Sequence, residues 1–328
     1  MLRIFYNTHY DFIRPWRIMV ALTVGFIVIG LGSLLFNGIR YSIDFTGGTI
    51  MQLRFDQPPD VSRLRSLLDQ GGVHNAEIQS FGSNREYTVR AQDLAASRGG
   101  GTDSVATEVR GIFDKVFGKQ YQVVRTESVG PRVGNELRNG AIKAILLSFL
   151  LTLIYLAWRF EWRFGVAAVI ATAHDICTTL AFIKLMNIEV SLTVVAGILT
   201  VIGYSLNDTI IIFDRVRENL RRRRREPLYD TINRSVNETL PRSVMTHATA
   251  LAATVALLIF AGEVIRPFAW VMAFGIFTGT FSSIYVAAPV LLWIERRWPR
   301  EISNAQGGPA VKKPAPRSQK PTEAAGVR

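Results

Sequence analysis

What most constrains this chain is a set of long apolar blocks with almost no charge. They lie at Ile18–Phe36, Ala141–Trp158, Phe164–Ile183, Val190–Phe213, Ser243–Gly262 and Pro267–Ile294. They lack the polar stripe of an amphipathic helix in a water-soluble protein. A bilayer core takes about 20 apolar residues per helix, and the blocks reach that length. Six spanning helices follow. Lys143, near the start of the second, can snorkel to the interface. The last block is long enough to tilt or break, and Pro289 is placed to kink it.

The first block follows Arg3, Arg14 and Arg17, and no convincing A-x-A cleavage site comes after it. It reads as an uncleaved signal anchor. The net charge of +12 would suggest nucleic acid in a soluble protein. Here the basic residues flank the apolar blocks, where membrane topology places them, so nucleic acid is not an expected partner. Arg159 and Arg163, then Arg215, Arg217 and Arg221–Arg225, then Arg296, Arg297 and Arg300 alternate to one side with the N-terminus. That side is the cytoplasm, and both termini lie there. The arginine run also suits anionic lipid. Cys177, the single cysteine, sits inside an apolar block and reads as a packing residue.

Between the first two blocks lie roughly a hundred residues without a span, long enough to escape the charge rule and face outward. Alternation predicts strands at Arg40–Phe45, Thr49–Phe55, Ala76–Phe81, Glu86–Ala91 and Tyr121–Thr126. Helical periodicity predicts Asp60–Gln70, with Asp60 as cap, and Ser104–Phe117, with a stripe of Val105, Val109, Ile112, Val116 and Phe117. The 98–102 segment is a flexible connection. The order β-β-α-β-β-α-β describes a small α+β unit with a ferredoxin-like core. The fold class is therefore an all-α six-helix transmembrane bundle with a small extracytoplasmic α+β domain. Its parts are a cytoplasmic N-terminus (1–17), helix 1 (18–36), the outside domain (37–139), helices 2–6 (140–298) with a basic cytoplasmic loop at 214–242, and a disordered cytoplasmic tail (299–328).

No G-x-x-x-x-G-K-[ST], H-E-x-x-H or G-x-S-x-G motif occurs. The chain is not expected to be an enzyme, and no cofactor or metal is expected. Work done by it must draw on another protein or an ion gradient.

Ionisable groups inside spans cost several kcal/mol by insertion scales and are functional candidates. Asp208 lies in the fourth block within Gly203-Tyr-Ser-Leu-Asn-Asp-Thr209. Tyr204 and Ser205 are on its helical face, and Asn207 and Thr209 flank it, so this polar face should point into the bundle. The fifth span returns antiparallel. It places Arg242 at a comparable depth, within reach of the carboxylate if the helices touch, with Thr246 and Thr249 continuing its face. A paired arginine favours the charged acid and apolar burial the neutral one. Either the acid exchanges a proton as helices shift, or a static ion pair fixes their packing. Asp175 is equally a second relay carboxylate or a hydrogen-bonded packing group. His174 and, more so, His247 read as packing residues. Asp44-Phe-Thr-Gly-Gly48 reads as a turn, and the 214–219 stretch as a helix end with local ion pairs.

The run Gly203-Tyr-Ser-Leu-Asn-Asp-Thr-Ile-Ile-Ile-Phe-Asp-Arg-Val-Arg-Glu-Asn219 resembles the fourth-span signature of the SecF branch of the SecD/SecF family, within the resistance-nodulation-division superfamily. Asp44–Gly48, Val129–Leu137, His174-Asp-Ile and Arg242-Ser-x-x-Thr246 match its other elements in order and spacing. The resemblance implies a protein-transport subunit of the bacterial inner membrane. Such a subunit acts with SecD beside the SecYEG translocon, after the SecA motor, and uses protons to complete preprotein export. It maps Asp208 and Arg242 onto proton coupling. Two other expectations compete with it: half of a proton-coupled small-molecule exporter, and a scaffold subunit without a proton role.

Overall fold

The computed structural model describes residue 5 and residues 8–74, 76–91, 103–223, 226–262 and 264–298. The expected connection at 98–102, Arg224, Arg225 and the expected tail from 299 lie outside the described residues.

Helix α1 (Trp16–Asn37) ends where Gly38 takes φ 60° and its N–H bonds the Leu34 carbonyl. The strand expected at 40–45 does not form. Ser42 Oγ accepts the Asp44 N–H at 3.2 Å, and Thr46 Oγ1 donates to the Ser42 carbonyl at 3.1 Å. Those local bonds offer the backbone an alternative to a ladder, and the segment coils into the short helix α2 (Ile43–Thr46). Only Tyr41 keeps a sheet-like contact, an isolated parallel bridge to Val190. Gly47 and Gly48, at φ 71° and 127°, then turn the chain into β1 (Gly48–Phe55).

Helix α3 (Val61–Gln70) starts at Asp60, whose carboxylate accepts the Ser62 N–H at 2.9 Å. Then come β2 (Glu77–Phe81), β3 (Ser83–Ala91), α4 (Asp103–Phe117) and β4 (Tyr121–Val129). The sheet is antiparallel with order β2-β3-β1-β4. Its connectivity is β-α-β-β-α-β, one strand fewer than the sequence suggested. Met51, Leu53 and Phe55 alternate onto one face, where they pack with Leu64 and Leu68 of α3 and Val105, Val109 and Phe113 of α4. Phe113, not expected in the α4 stripe, is fully buried; Val116, which was, is 39% exposed. Residues 105, 109 and 113 recur at i, i+4, i+8, and that spacing points them at the sheet. The opposite face presents Gln52, Thr88 and Arg90 to a cavity of about 440 Å³, closed on its other side by Asp44, Glu189 and Pro267.

The remaining spans are α5 (Pro131–Arg159), α6 (Trp162–Leu185), α7 (Leu192–Arg222), α8 (Leu228–Phe260) and a composite of α9 (Arg266–Ser282), a π-turn (Ser283–Ala287) and α10 (Ala288–Arg297). With α1 these make six helices long and apolar enough to cross a membrane. Such helices satisfy their own backbone groups, which lipid cannot do. Several outrun their apolar blocks. The 214–242 stretch, expected as a loop, is helical over 214–222 and 228–242. Pro289 produces no simple kink. Just before it the Ala288 N–H bonds the Ser283 carbonyl five residues back, and the π-turn absorbs the missing donor.

Helices α6, α7 and the α9–α10 composite form the inside of the bundle; α1, α5 and α8 lie around them. Helices α7 and α9 run parallel and meet in a four-step ladder. Gly197 faces Val271, Val201 faces Gly275, Ser205 faces Gly279, and Thr209 Oγ1 lies 2.8 Å from Ser283 Oγ. Each step advances four residues on both helices. A Cβ on Gly279 would stand 2.9 Å from Ser205 Cβ, and one on Gly275 would overlap Val201. This is the small-residue contact by which spans approach closely.

Candidate proton-handling site

The ladder brings Ser205 and Ser282 to the carboxylate of Asp175 on α6. Asp175 is 1% exposed. Its Oδ2 accepts hydrogen bonds from Ser205 Oγ and, at 2.8 Å, from Ser282 Oγ; its Oδ1 lies 3.2 Å from His174 Nδ1. One acid therefore joins three helices, and the close approach of Gly279 to Ser205 draws two of them together there.

One turn further along α7, Asp208 is 2% exposed and meets α8. Its nearest basic partner is not Arg242. His247 Nε2 lies 3.3 Å from Asp208 Oδ2. The His247 Nδ1 sits 2.6 Å from the Ser243 carbonyl oxygen. Tyr204 closes the site: its ring lies edge-on to the imidazole at 5.3 Å, and its hydroxyl donates to the Thr246 carbonyl at 3.2 Å.

The expected site residues divide. Asp208, Ser205 and Thr209 are buried inside the bundle, and Tyr204 is half-buried. Asn207, expected on the inward face, is exposed, because one residue from Asp208 turns it about 100° around the helix. Arg242 and Thr249 are exposed, and Thr246 bonds the Arg242 carbonyl at 2.9 Å. The α8 face that meets Asp208 is Ser243 and His247, one residue round from the face the sequence favoured. Among the described residues, no group of three or more His, Cys, Asp and Glu is arranged to hold a metal.

Polar layers fix both ends of α7. At the far end Arg159 pairs with Asp214 at 2.6 Å, and Arg215 pairs with Glu218 and Glu238 at 2.6 Å each. Asn219 Nδ2 bonds Ser235 and Glu238. At the sheet end the Leu192 N–H donates to Asp44 Oδ2 at 2.9 Å. Arg90 of β3 pairs with Glu189 at 2.8 Å and donates to the Tyr41 carbonyl at 2.7 Å. The Val190 N–H bonds the Arg40 carbonyl, and the Val190 carbonyl accepts the Ser42 N–H.

Residues 109–297 match the family described as protein export membrane protein SecD/SecF, C-terminal, and residues 32–59 match the SecD/SecF GG motif. The chain belongs to the SecD/SecF family. Within it, the protein translocase subunit SecF of Gemmatimonas aurantiaca is 58% identical over 92% of this chain and 91% of its own length. The SecF of Vibrio alginolyticus is 38% identical over 86% and 88%. A crystal structure of SecDF from Thermus thermophilus, described as a translocon-associated membrane protein, superposes with a TM-score of 0.79 at 36% identity. It covers 90% of this chain, which spans 40% of the SecDF length. The SecD/SecF GG motif has a packing basis here. A Cβ on Gly47 would lie 2.8 Å from Pro131 Cα, and one on Gly134 would lie 2.9 Å from the Gly47 nitrogen. The motif thus seats the start of α5 against the turn that opens β1.

Proposed function

We propose that this chain is the SecF-type accessory subunit of the Sec protein translocase. It works with SecD beside SecYEG to complete preprotein export across the bacterial inner membrane, powered by the proton-motive force. The observation that carries this reading is Asp208, a carboxylate buried inside a span and facing another helix, not lipid. Each proton crossing the field supplies about 2.3 kcal/mol per 100 mV. A change of charge at Asp208 alters what holds α7 to α8. Asp175 acts as the second carboxylate, since its charge sets the grip of Ser205 and Ser282 on α6. Arg242 supplies a fixed cation from the exposed side of α8, with Tyr204 and Thr246 shaping the site between.

In this reading the sheet domain is ferredoxin-like and extracytoplasmic, and the far end of α7, rich in arginine, is cytoplasmic with both termini. The ties from Asp44, Arg90 and Val190 to the head of α7 pass helix movement to the domain. Asp208→Asn tests the reading in membrane vesicles carrying the SecD partner. Proton-driven export is expected to fall to the level without the subunit while the complex still assembles. Unchanged export would leave a scaffold role instead.

A further inference from the structure

The mechanism above leaves a buried titratable side chain unused. His247 Nδ1 lies 2.6 Å from the Ser243 carbonyl oxygen, which can only accept. Nδ1 therefore carries a proton in the neutral ring and in the cation alike. That leaves Nε2 as the nitrogen whose proton comes and goes, and Nε2 is the atom 3.3 Å from Asp208 Oδ2. Both atoms are buried, and neither makes a well-aligned hydrogen bond among the described residues, while the Ser243 hydroxyl also lies close to the Asp208 carboxylate. With no proton between them, two lone pairs face each other. With two, one gap must hold both hydrogens. With one proton, on oxygen or on nitrogen, each atom gains its partner.

We infer that Asp208 and His247 form a two-atom resting place for a single exchangeable proton, with His247 as the positioning residue for the proton carried by Asp208. This rests on the proton-coupling role proposed for Asp208. Besides His247, α8 brings two groups to bear on the Asp208 carboxylate, the Ser243 hydroxyl and the positive charge of Arg242. From α7, the other titratable group is Tyr204, whose hydroxyl is spent on the Thr246 carbonyl. On α8 itself, Arg242 is exposed. Helix α9 has no ionisable side chain beyond Arg266 at its start. From α6, Asp175 is held by Ser205, Ser282 and His174.

The test uses the full chain with its SecD partner in membranes. His247→Gln keeps a polar side chain of similar reach but removes one of the two resting places. The shared proton should then leave at lower pH, moving the alkaline limb of the export profile down by about one pH unit, a tenfold weaker hold. An unmoved limb overturns the inference. A second measurement needs no change at 247. Ring ¹⁵N shifts of His247 should titrate differently in the native chain and in Asp208→Asn, with Nε2 changing and Nδ1 staying protonated. Identical titrations overturn the pairing. If Asp208→Asn leaves export unchanged yet alters the ¹⁵N titration, the coupling role fails while the shared proton stands.

Discussion

In the sheet domain, α3 and α4 close over β1 and β3 with Leu64, Leu68, Val109 and Phe113, large apolar side chains against Met51, Leu53 and Phe55. Between α7 and α9 every step of the ladder has at least one small residue: Gly197 under Val271, Gly275 under Val201, Gly279 against Ser205, and Thr209 against Ser283. The solvent explains the contrast. In water, each Å² of apolar surface removed contributes about 25 cal/mol, so bulk holds the domain together. In lipid the surroundings are as apolar as leucine, and helices gain by close approach and interhelical hydrogen bonds. The same space that lets α7 and α9 touch also lets hydroxyls reach Asp175. Packing and polarity thus share one design in the spans and are kept apart in the domain.

The contrast breaks if truncation and enlargement hurt both regions alike. Phe113→Ala should cost the domain about 3–5 kcal/mol, seen as faster trypsin cleavage within the domain of the intact chain. Gly275→Val should cost about 1–3 kcal/mol by overpacking against Val201, read from thermal unfolding in detergent. Adding Val201→Ala should recover much of that loss, and no bulk-driven interface would respond so. Arg90→Gln, at the junction of the two regions, should cost about 1 kcal/mol and speed amide exchange at Val190 and Leu192 while β2 stays protected. Ser282→Ala should cost only about 0.6 kcal/mol, because Ser205 still serves Asp175. A loss as large as that of Phe113→Ala would mean that polar contacts dominate in the spans.

The spans were legible because twenty apolar residues in a row have few other uses. Their ends were not. α7 runs on to Arg222 and α8 starts at Leu228, since a helix can leave the bilayer without any change of backbone. Arg40–Phe45 alternates as a strand would, while the hydroxyls of Ser42 and Thr46 decide locally for a helix. Asp208 was visible as a charge in an apolar block. Its partner was not, because choosing between Arg242 and His247 requires the rotation of α8, and five residues along a helix separate two different faces. The four-residue ladder of α7 and α9 stands in the sequence as Gly275-x-x-x-Gly279, but two glycines four apart in an apolar block do not say which helix they meet.

Val190 is a joint between the α6–α7 hairpin and the chain that leaves α1. It spends its amide and its carbonyl on the chain emerging from α1, so the hairpin between α6 and α7 has no slack there. A stroke of α7 along its axis cannot be taken up by loose chain at that end. Such a displacement would instead load the bonds that tie Val190 to Arg40 and Ser42, next to the turn that opens β1.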